Sequence, residues 1–114
     1  MSAGIIAAME SESVELVAVI DPGPPVRLAV SGDLDLATAE QFAAAIDEAL
    51  ATEPEQVILD LAGVAFIDSA GIKGMVKLAN RCRLMGAALA TINSSAQARR
   101  VLELTQLADL FDLR

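Results

Sequence analysis

Histidine, tryptophan and tyrosine are all missing from this sequence, and cysteine occurs once, as Cys82. Without histidine, nucleophile systems of the Ser-His-Asp and Cys-His types are excluded, as are imidazole metal sites. The common nucleotide-binding loops, G-x-x-x-x-G-K-[ST] and G-x-G-x-x-G, are also absent. We therefore expect no enzyme activity, no metal and no cofactor. A single cysteine cannot form an internal disulfide, which is typical of a reducing compartment.

Long apolar runs are missing too, although 54% of the residues are hydrophobic. No run approaches the roughly 18 residues that are needed to span a bilayer. The apolar stretch at residues 3–9 lacks the basic flank of a secretory signal. We therefore expect a cytoplasmic protein that does not insert into membranes.

The charge is acidic and unevenly distributed, with a net value of −8. Residues 1–56 contain eleven acidic side chains and one basic one, whereas residues 57–114 contain five acidic and seven basic ones. Because an acidic chain repels phosphate backbones, we expect no direct binding to nucleic acid. The asymmetry favours a protein partner that meets a charged face. The alternative is that the acidic residues only keep an alanine-rich surface soluble.

Strand and helix patterns alternate along what we expect to be one domain over residues 14–114, preceded by a flexible tail at residues 1–13. The order β-β-α-β-α-β-α implies an α/β fold in which a mixed sheet of four to five strands packs with three to four helices. The patterns predict strands at residues 15–20, 26–31, 57–59 and 87–91. The first two strands should form an antiparallel hairpin, because only a turn fits Asp21-Pro22-Gly23-Pro24-Pro25. Residues 61–67 are predicted to be a loop.

Capping patterns predict where the helices begin and end. Thr38 with Gln41, and Ser94 with Gln97, match the capping box, and Gly86 should end the helix that follows residue 68. Asp60 is expected to bond backbone amides at a strand end.

The step Asp68-Ser69-Ala70-Gly71 stands where the predicted loop turns into a helix. The Ser69 hydroxyl would lie near the first free backbone N–H groups, and a phosphate there would sit at the positive end of the helix. Gly71 lets the backbone approach closely. Asp and Ser are also favoured N-cap residues, so helix capping is the alternative explanation for both Asp68 and Ser69.

Residues 57–72, which read VILDLAGVAFIDSAGI, resemble the signature of the STAS domain, and specifically that of bacterial anti-sigma factor antagonists. Residues 31–39 and 99–105 are also similar to that family, and the resemblance covers residues 14–113. Two positions depart from the family pattern. Gln106 stands where glycine is frequent, and Lys73 stands where a small or apolar residue is common.

The resemblance implies partner switching. An antagonist of this kind binds an anti-sigma factor that is also a serine kinase, and so frees a sigma factor. The kinase phosphorylates the serine of the D-S step, here Ser69, and a metal-dependent serine phosphatase resets it. The domain itself is then a substrate and a ligand. The alternatives are a component of a lipid or anion transport system and a scaffold in a stress-sensing assembly, both of which would act by protein binding without phosphorylation.

The resemblance also implies a set of partner-binding residues, whose simpler alternatives stay open. The set is Asp33, Asp35, Asp68, Ser69, Ala70, Gly71 and Lys73. Asp33 and Asp35, in the loop after the hairpin, would lie near Ser69 and contact the kinase, or else only form the turn. Asp68 would orient the loop or cap the helix. The stripe of Lys73, Lys77 and Arg81 would meet an acidic partner surface, or else is a solvated helix face.

Overall fold

The structure is a computed structural model, and it describes residues 16–114. The strands in this range are β1 (Val17–Asp21), β2 (Val26–Leu34), β3 (Gln56–Ile67) and β4 (Ala88–Ile92). The helices are α1 (Ala39–Leu50), α2 (Ser69–Met85) and α3 (Ala96–Leu104), followed by a 3-10 turn at Asp109–Phe111. The tail predicted at residues 1–13 and the first residue of the predicted strand 15–20 lie outside the described residues.

The four strands form one mixed sheet in the order β1-β2-β3-β4. β1 runs antiparallel to β2, as the proline-rich turn predicts, and β3 and β4 continue the sheet in parallel. Alternate residues of β2 are buried, starting with Val26, Leu28 and Val30, as expected when one face of a strand covers the core. The predicted α/β class and mixed sheet are therefore confirmed.

The helices bury most of their larger apolar side chains against the sheet or one another. α1 packs on β1, β2 and α2 and buries Phe42 and Ile46, whereas α3 packs against β3, away from the α1–α2 pair. α2 ends at Gly86, whose φ of 75° is left-handed as predicted. No helix within residues 16–114 is long and apolar enough to cross a membrane.

The loop predicted at residues 61–67 is wrong, because β3 continues without interruption to Ile67. The second half of β3 pairs with β2 through two register shifts, one between Ala29 and Ser31 and one between Gly32 and Asp33. Gly63, within this segment, allows the close approach of the two strands. A Cβ at that position would lie 2.4 Å from the Cβ of Ser31.

Neither predicted capping box forms as the sequence suggests. Thr38 precedes α1 without a side-chain cap, because its hydroxyl oxygen accepts the Asp35 N–H at 3.1 Å while its O–H donates to the Asp33 carbonyl at 2.6 Å. The cap of α3 is Ser95 rather than Ser94, and its Oγ accepts the Ala98 N–H at 3.2 Å. In both cases the position of the residue in the folded domain determines which hydrogen bonds its hydroxyl forms.

Gln106, one of the two departures from the family pattern, lies just after the end of α3. Gln106 has a φ of 61°, a left-handed conformation that glycine adopts without strain. Its N–H donates to the Glu103 carbonyl at 3.1 Å, and the Leu107 N–H donates to the Leu102 carbonyl at 2.9 Å. A glycine at position 106 would therefore meet the backbone geometry better than glutamine does.

Candidate functional site

The start of α2 is capped by Asp68. Its Oδ1 accepts the N–H groups of Ala70 at 2.8 Å and of Gly71 at 3.0 Å. The Asp68 N–H donates to the carbonyl of Leu34, at the end of β2, at 3.1 Å. Of the two roles open for Asp68, the structure shows capping.

Ser69 is the first residue of α2, and it is exposed. Its hydroxyl makes no hydrogen bond to any residue in the range 16–114, so the helix cap does not depend on it. The side chain borders an open groove between α1 and α2. A hydroxyl in such a position is accessible to another protein.

Gly71 fixes how closely α2 approaches the end of β2. It is buried, and a Cβ there would lie 2.2 Å from the carbonyl oxygen of Leu34 and 2.8 Å from the Leu34 Cβ. The structure therefore shows a packing role for Gly71, which holds the Asp68-Ser69 step against the sheet.

The α1–α2 groove has a volume of about 560 Å³. Its α1 side is lined by Leu36, just before the helix, and by Ala39, Ala43, Ile46 and Asp47. Its α2 side is lined by Ser69, Ala70, Lys73, Gly74, Lys77 and Arg81. Leu36 is 79% exposed, which is unusual for a leucine and places an apolar side chain at the mouth of the groove beside Ser69.

Asp33 and Asp35 occupy different positions from those expected. Asp33 lies within β2 rather than in a loop, and strand alternation puts it on the face opposite that of Leu34. Asp35 does lie in the connection to α1, where its Oδ1 accepts the Thr38 N–H at 3.1 Å. The structure thus shows the turn-forming role for Asp35, and neither aspartate lines the groove.

The cationic stripe along α2 is divided between paired and unpaired side chains. Arg81 forms an ion pair with Asp47 on α1 and so joins the two walls at the far end of the groove. Lys73 and Lys77 are exposed and make no ion pair within residues 16–114.

Asp60 belongs to a separate, structural cluster. It accepts the Ala62 N–H at 3.0 Å, as expected, but from within β3 rather than at a strand end. It also pairs with the Arg27 guanidinium and contacts the Asn93 amide. Burial alone would raise the pKa of Asp60, but these three partners together hold the pKa of this carboxyl below its usual value.

Burial raises the pKa of the Cys82 thiol, which favours the neutral form expected of a small core residue.

Sequence analysis missed the α1 wall of the groove. Ala39, Ala43 and Ile46 fall on one apolar face of α1 in the sequence pattern. Ile46 is buried, but Ala39 is only half-buried and Ala43 is exposed. The signal that could have found the wall is the repeat of small residues at four-residue spacing in both helices, Ala39 and Ala43 in one and Ala70 and Gly74 in the other.

The mixed sheet, the capped serine step and the groove together define a class of domain. A family model described as the STAS domain matches residues 15–114. The chain therefore belongs to the STAS domain family.

Particular relatives share parts of this chain. The anti-sigma-F factor antagonist RsfB of Mycobacterium tuberculosis is 37% identical over 57 residues, which are 50% of this chain and 47% of that protein. The match thus spans about half the length of this relative. An anti-sigma factor antagonist from Mycobacterium paratuberculosis has a similar crystal structure, with a TM-score of 0.76, 24% identity, and coverage of 86% of this chain and 84% of that one. The Bacillus cell fate determinant SpoIIAA in its phosphorylated form gives a TM-score of 0.66 at 19% identity, with coverage of 86% and 89%. The two structural likenesses establish the fold.

Proposed function

We propose that this domain is an anti-sigma factor antagonist: it binds an anti-sigma factor that has serine kinase activity, and so frees a sigma factor. Phosphorylation of Ser69 ends the binding, and a serine phosphatase restores the unmodified form. The observation that carries the proposal is the exposed Ser69 hydroxyl, which borders the α1–α2 groove while Asp68 supplies the helix cap. The match to RsfB of M. tuberculosis supports the same function.

The chemistry at Ser69 is a phosphoryl transfer in which the domain is the substrate. The Ser69 Oγ forms a bond to the γ-phosphorus of ATP while the bond from that phosphorus to the β,γ-bridging oxygen breaks. ADP leaves with this oxygen, and the hydroxyl proton passes to a base of the kinase or to water. The product carries about 1.5 to 2 additional negative charges. The positive end of α2 tolerates this charge in the folded domain. A partner packed against the groove would instead have to bury it, and a buried unpaired charge costs several kcal/mol.

Two other serines of the described chain, Ser94 and Ser95, are less suited to modification. The Ser95 hydroxyl donates to the Val64 carbonyl at 2.8 Å and also caps α3, so phosphorylation would remove two contacts. The Ser94 Oγ is buried. Ser69 combines exposure with a hydroxyl that supports no part of the fold.

Mass spectrometry tests the site of modification. Each anti-sigma factor kinase encoded in the source genome is purified and incubated with the domain and MgATP, and the phosphopeptides are mapped. We expect one phosphate, on Ser69, with at least one kinase. Ser69→Ala should take up none, whereas the matched control Ser94→Ala should behave as the wild type. Phosphate mainly on Ser94 or Ser95 would contradict the proposal. The absence of phosphate from all three serines would contradict it as well.

Calorimetric titration with the same kinases tests the switch. Ser69→Ala should bind as tightly as the wild type and remain permanently active, because the unmodified surface is nearly preserved. Ser69→Asp should fold normally but bind more weakly, since it places a charge in the interface. Equal affinities for wild type and Ser69→Asp would instead favour a role by binding without phosphorylation, as in a transport component or a scaffold.

A further inference from the structure

The rim of the α1–α2 groove carries positive charge that forms no ion pair within the described residues. The α1 wall is apolar apart from Asp47, and small residues on both helices, such as Ala43 and Gly74, allow close approach. Arg81, at the far end, is neutralised by Asp47. Lys73 and Lys77 remain exposed, without an ion-pair partner in the described part of the chain. Two cations therefore line the α2 side of a mainly apolar groove, in a protein whose net charge is −8.

These lysines continue a row that begins at Ser69. Residues 69, 73 and 77 follow each other at four-residue spacing, so they lie on one side of α2 with a rise of about 6 Å per step. All three border the groove. A partner that lies in the groove thus meets the hydroxyl and both ammonium groups in one line.

We propose that the groove takes an amphipathic helix of the anti-sigma factor, in which two carboxylates one turn apart pair with Lys73 and Lys77. Aliphatic side chains of this helix cover the apolar residues of the α1 wall. The inference rests on the proposed function and adds to it the chemistry that the partner must present.

Two features of the groove are suited to a partner helix. Carboxylates at positions i and i+4 of a helix lying along α2 repeat with the same rise of about 6 Å as the lysines, so both pairs form together. An amphipathic helix laid into an apolar groove is also a recurring mode of recognition, and small residues such as Ala43 and Gly74 let backbones approach closely. Residues 69 to 81 of α2 span about 18 Å, enough to contact roughly three turns of a partner helix.

The same row gives phosphorylation a second effect. Before modification, Lys73 and Lys77 give the row a charge of +2. A phosphate on Ser69 adds about −1.5 to −2 and so brings the row close to neutral. Modification would then cancel the attraction for acidic residues of the partner, in addition to placing a charge in the interface.

Salt-dependent calorimetry with the purified kinases tests the role of the lysines. The variant Lys73→Gln/Lys77→Gln should bind roughly tenfold more weakly than the wild type at about 50 mM NaCl. Its affinity should fall less than that of the wild type when NaCl is raised to about 300 mM, because screened charge pairs have been removed. The matched control Arg100→Gln removes an exposed cation from α3, outside the groove, and should leave affinity at wild-type level. Thermal melts of all variants establish that each is folded.

Zero-length carboxyl-to-amine cross-linking of the wild-type complex tests the partner's chemistry. We expect Lys73 and Lys77 to cross-link to Asp or Glu residues four positions apart in one helix of the kinase. Cross-links to carboxylates of a strand, or to a second copy of this chain, would overturn the proposal.

The outcomes separate this inference from the proposed function. If Ser69→Asp weakens binding but Lys73→Gln/Lys77→Gln matches the wild type at both salt concentrations, the inference is wrong and the proposed function stands. If no kinase binds the wild-type domain, both are wrong.

Discussion

Replacing Asp68 by alanine should destabilise the domain, whereas replacing Ser69 by alanine should leave its stability nearly unchanged. Both residues stand at the start of α2 and both are residue types that cap helices. In the structure, however, only Asp68 accepts backbone N–H groups, from Ala70 and Gly71. The two substitutions therefore separate the structural role from any signalling role of this step.

The expected magnitude follows from the two contacts of the Asp68 carboxylate. Loss of an N-cap costs about 1 kcal/mol, within a range of about 0.5 to 2. Loss of a negative charge at the positive end of the helix adds about 0.3 to 1 kcal/mol. The sum of about 1 to 3 kcal/mol should lower the melting temperature by roughly 5 to 15 °C in a domain of this size. Ser69→Ala removes an exposed side chain that supports no contact, so its effect should stay within about 0.5 kcal/mol.

Urea unfolding followed by circular dichroism measures both variants. Asp68→Asn is the matched control, because it keeps a capping oxygen and loses only the charge, and it should lie between wild type and Asp68→Ala. If Ser69→Ala were destabilised as much as Asp68→Ala, the hydroxyl would be part of the cap. The separation between cap and switch would then be refuted.

Three further changes test the fold. Gly71→Ala should cost about 1 to 3 kcal/mol by forcing a Cβ against the Leu34 carbonyl. Unchanged stability would contradict this packing, because alanine otherwise favours a helix by about 1 kcal/mol. Gln106→Gly should raise the free energy of unfolding by about 1 kcal/mol by relieving a left-handed conformation, whereas the same change at Gln97, inside α3, should lower it by about as much. Asp60→Asn should destabilise the domain at neutral pH by about 1 to 3 kcal/mol in a denaturant titration. Because the fold lowers the pKa of Asp60, its contribution is present above the unfolded value of about 3.9 and is lost as the pH falls through the lower folded value. The difference from the wild type should therefore shrink below about pH 4, and a constant difference would contradict the assigned partners.

The sequence was sufficient to predict the order of elements because apolar periodicity is a local property. α1, α2 and the hairpin follow from that pattern and from the turn at residues 21–25. The length of β3 could not be predicted in the same way. Gly63 is a loop signal in isolation, and only the neighbouring Ser31 shows that its missing side chain serves a close strand contact.

The candidate site was predictable in part for a related reason. The Asp68-Ser69 step is visible as a motif, but the choice of Asp68 as the cap depends on backbone geometry. The groove depends on the separation of two helices that are far apart in sequence. Ala43 falls on the apolar face of α1 in the sequence pattern, but in the structure it is exposed beside the groove. Asp33 was misplaced because β2 extends beyond Ser31, through the register shifts that pair it with β3.

The contacts between Leu34 and the start of α2 would affect the speed and the duration of a signal at Ser69. The Asp68 N–H bonds the Leu34 carbonyl, and Gly71 leaves no space for α2 to shift towards it. If Ser69 is modified as proposed, the added group would act as a chemical label on a backbone that both contacts hold in place. Partners would sense the label without waiting for a structural relaxation. The duration of the signal would then depend only on the enzymes that add and remove the group.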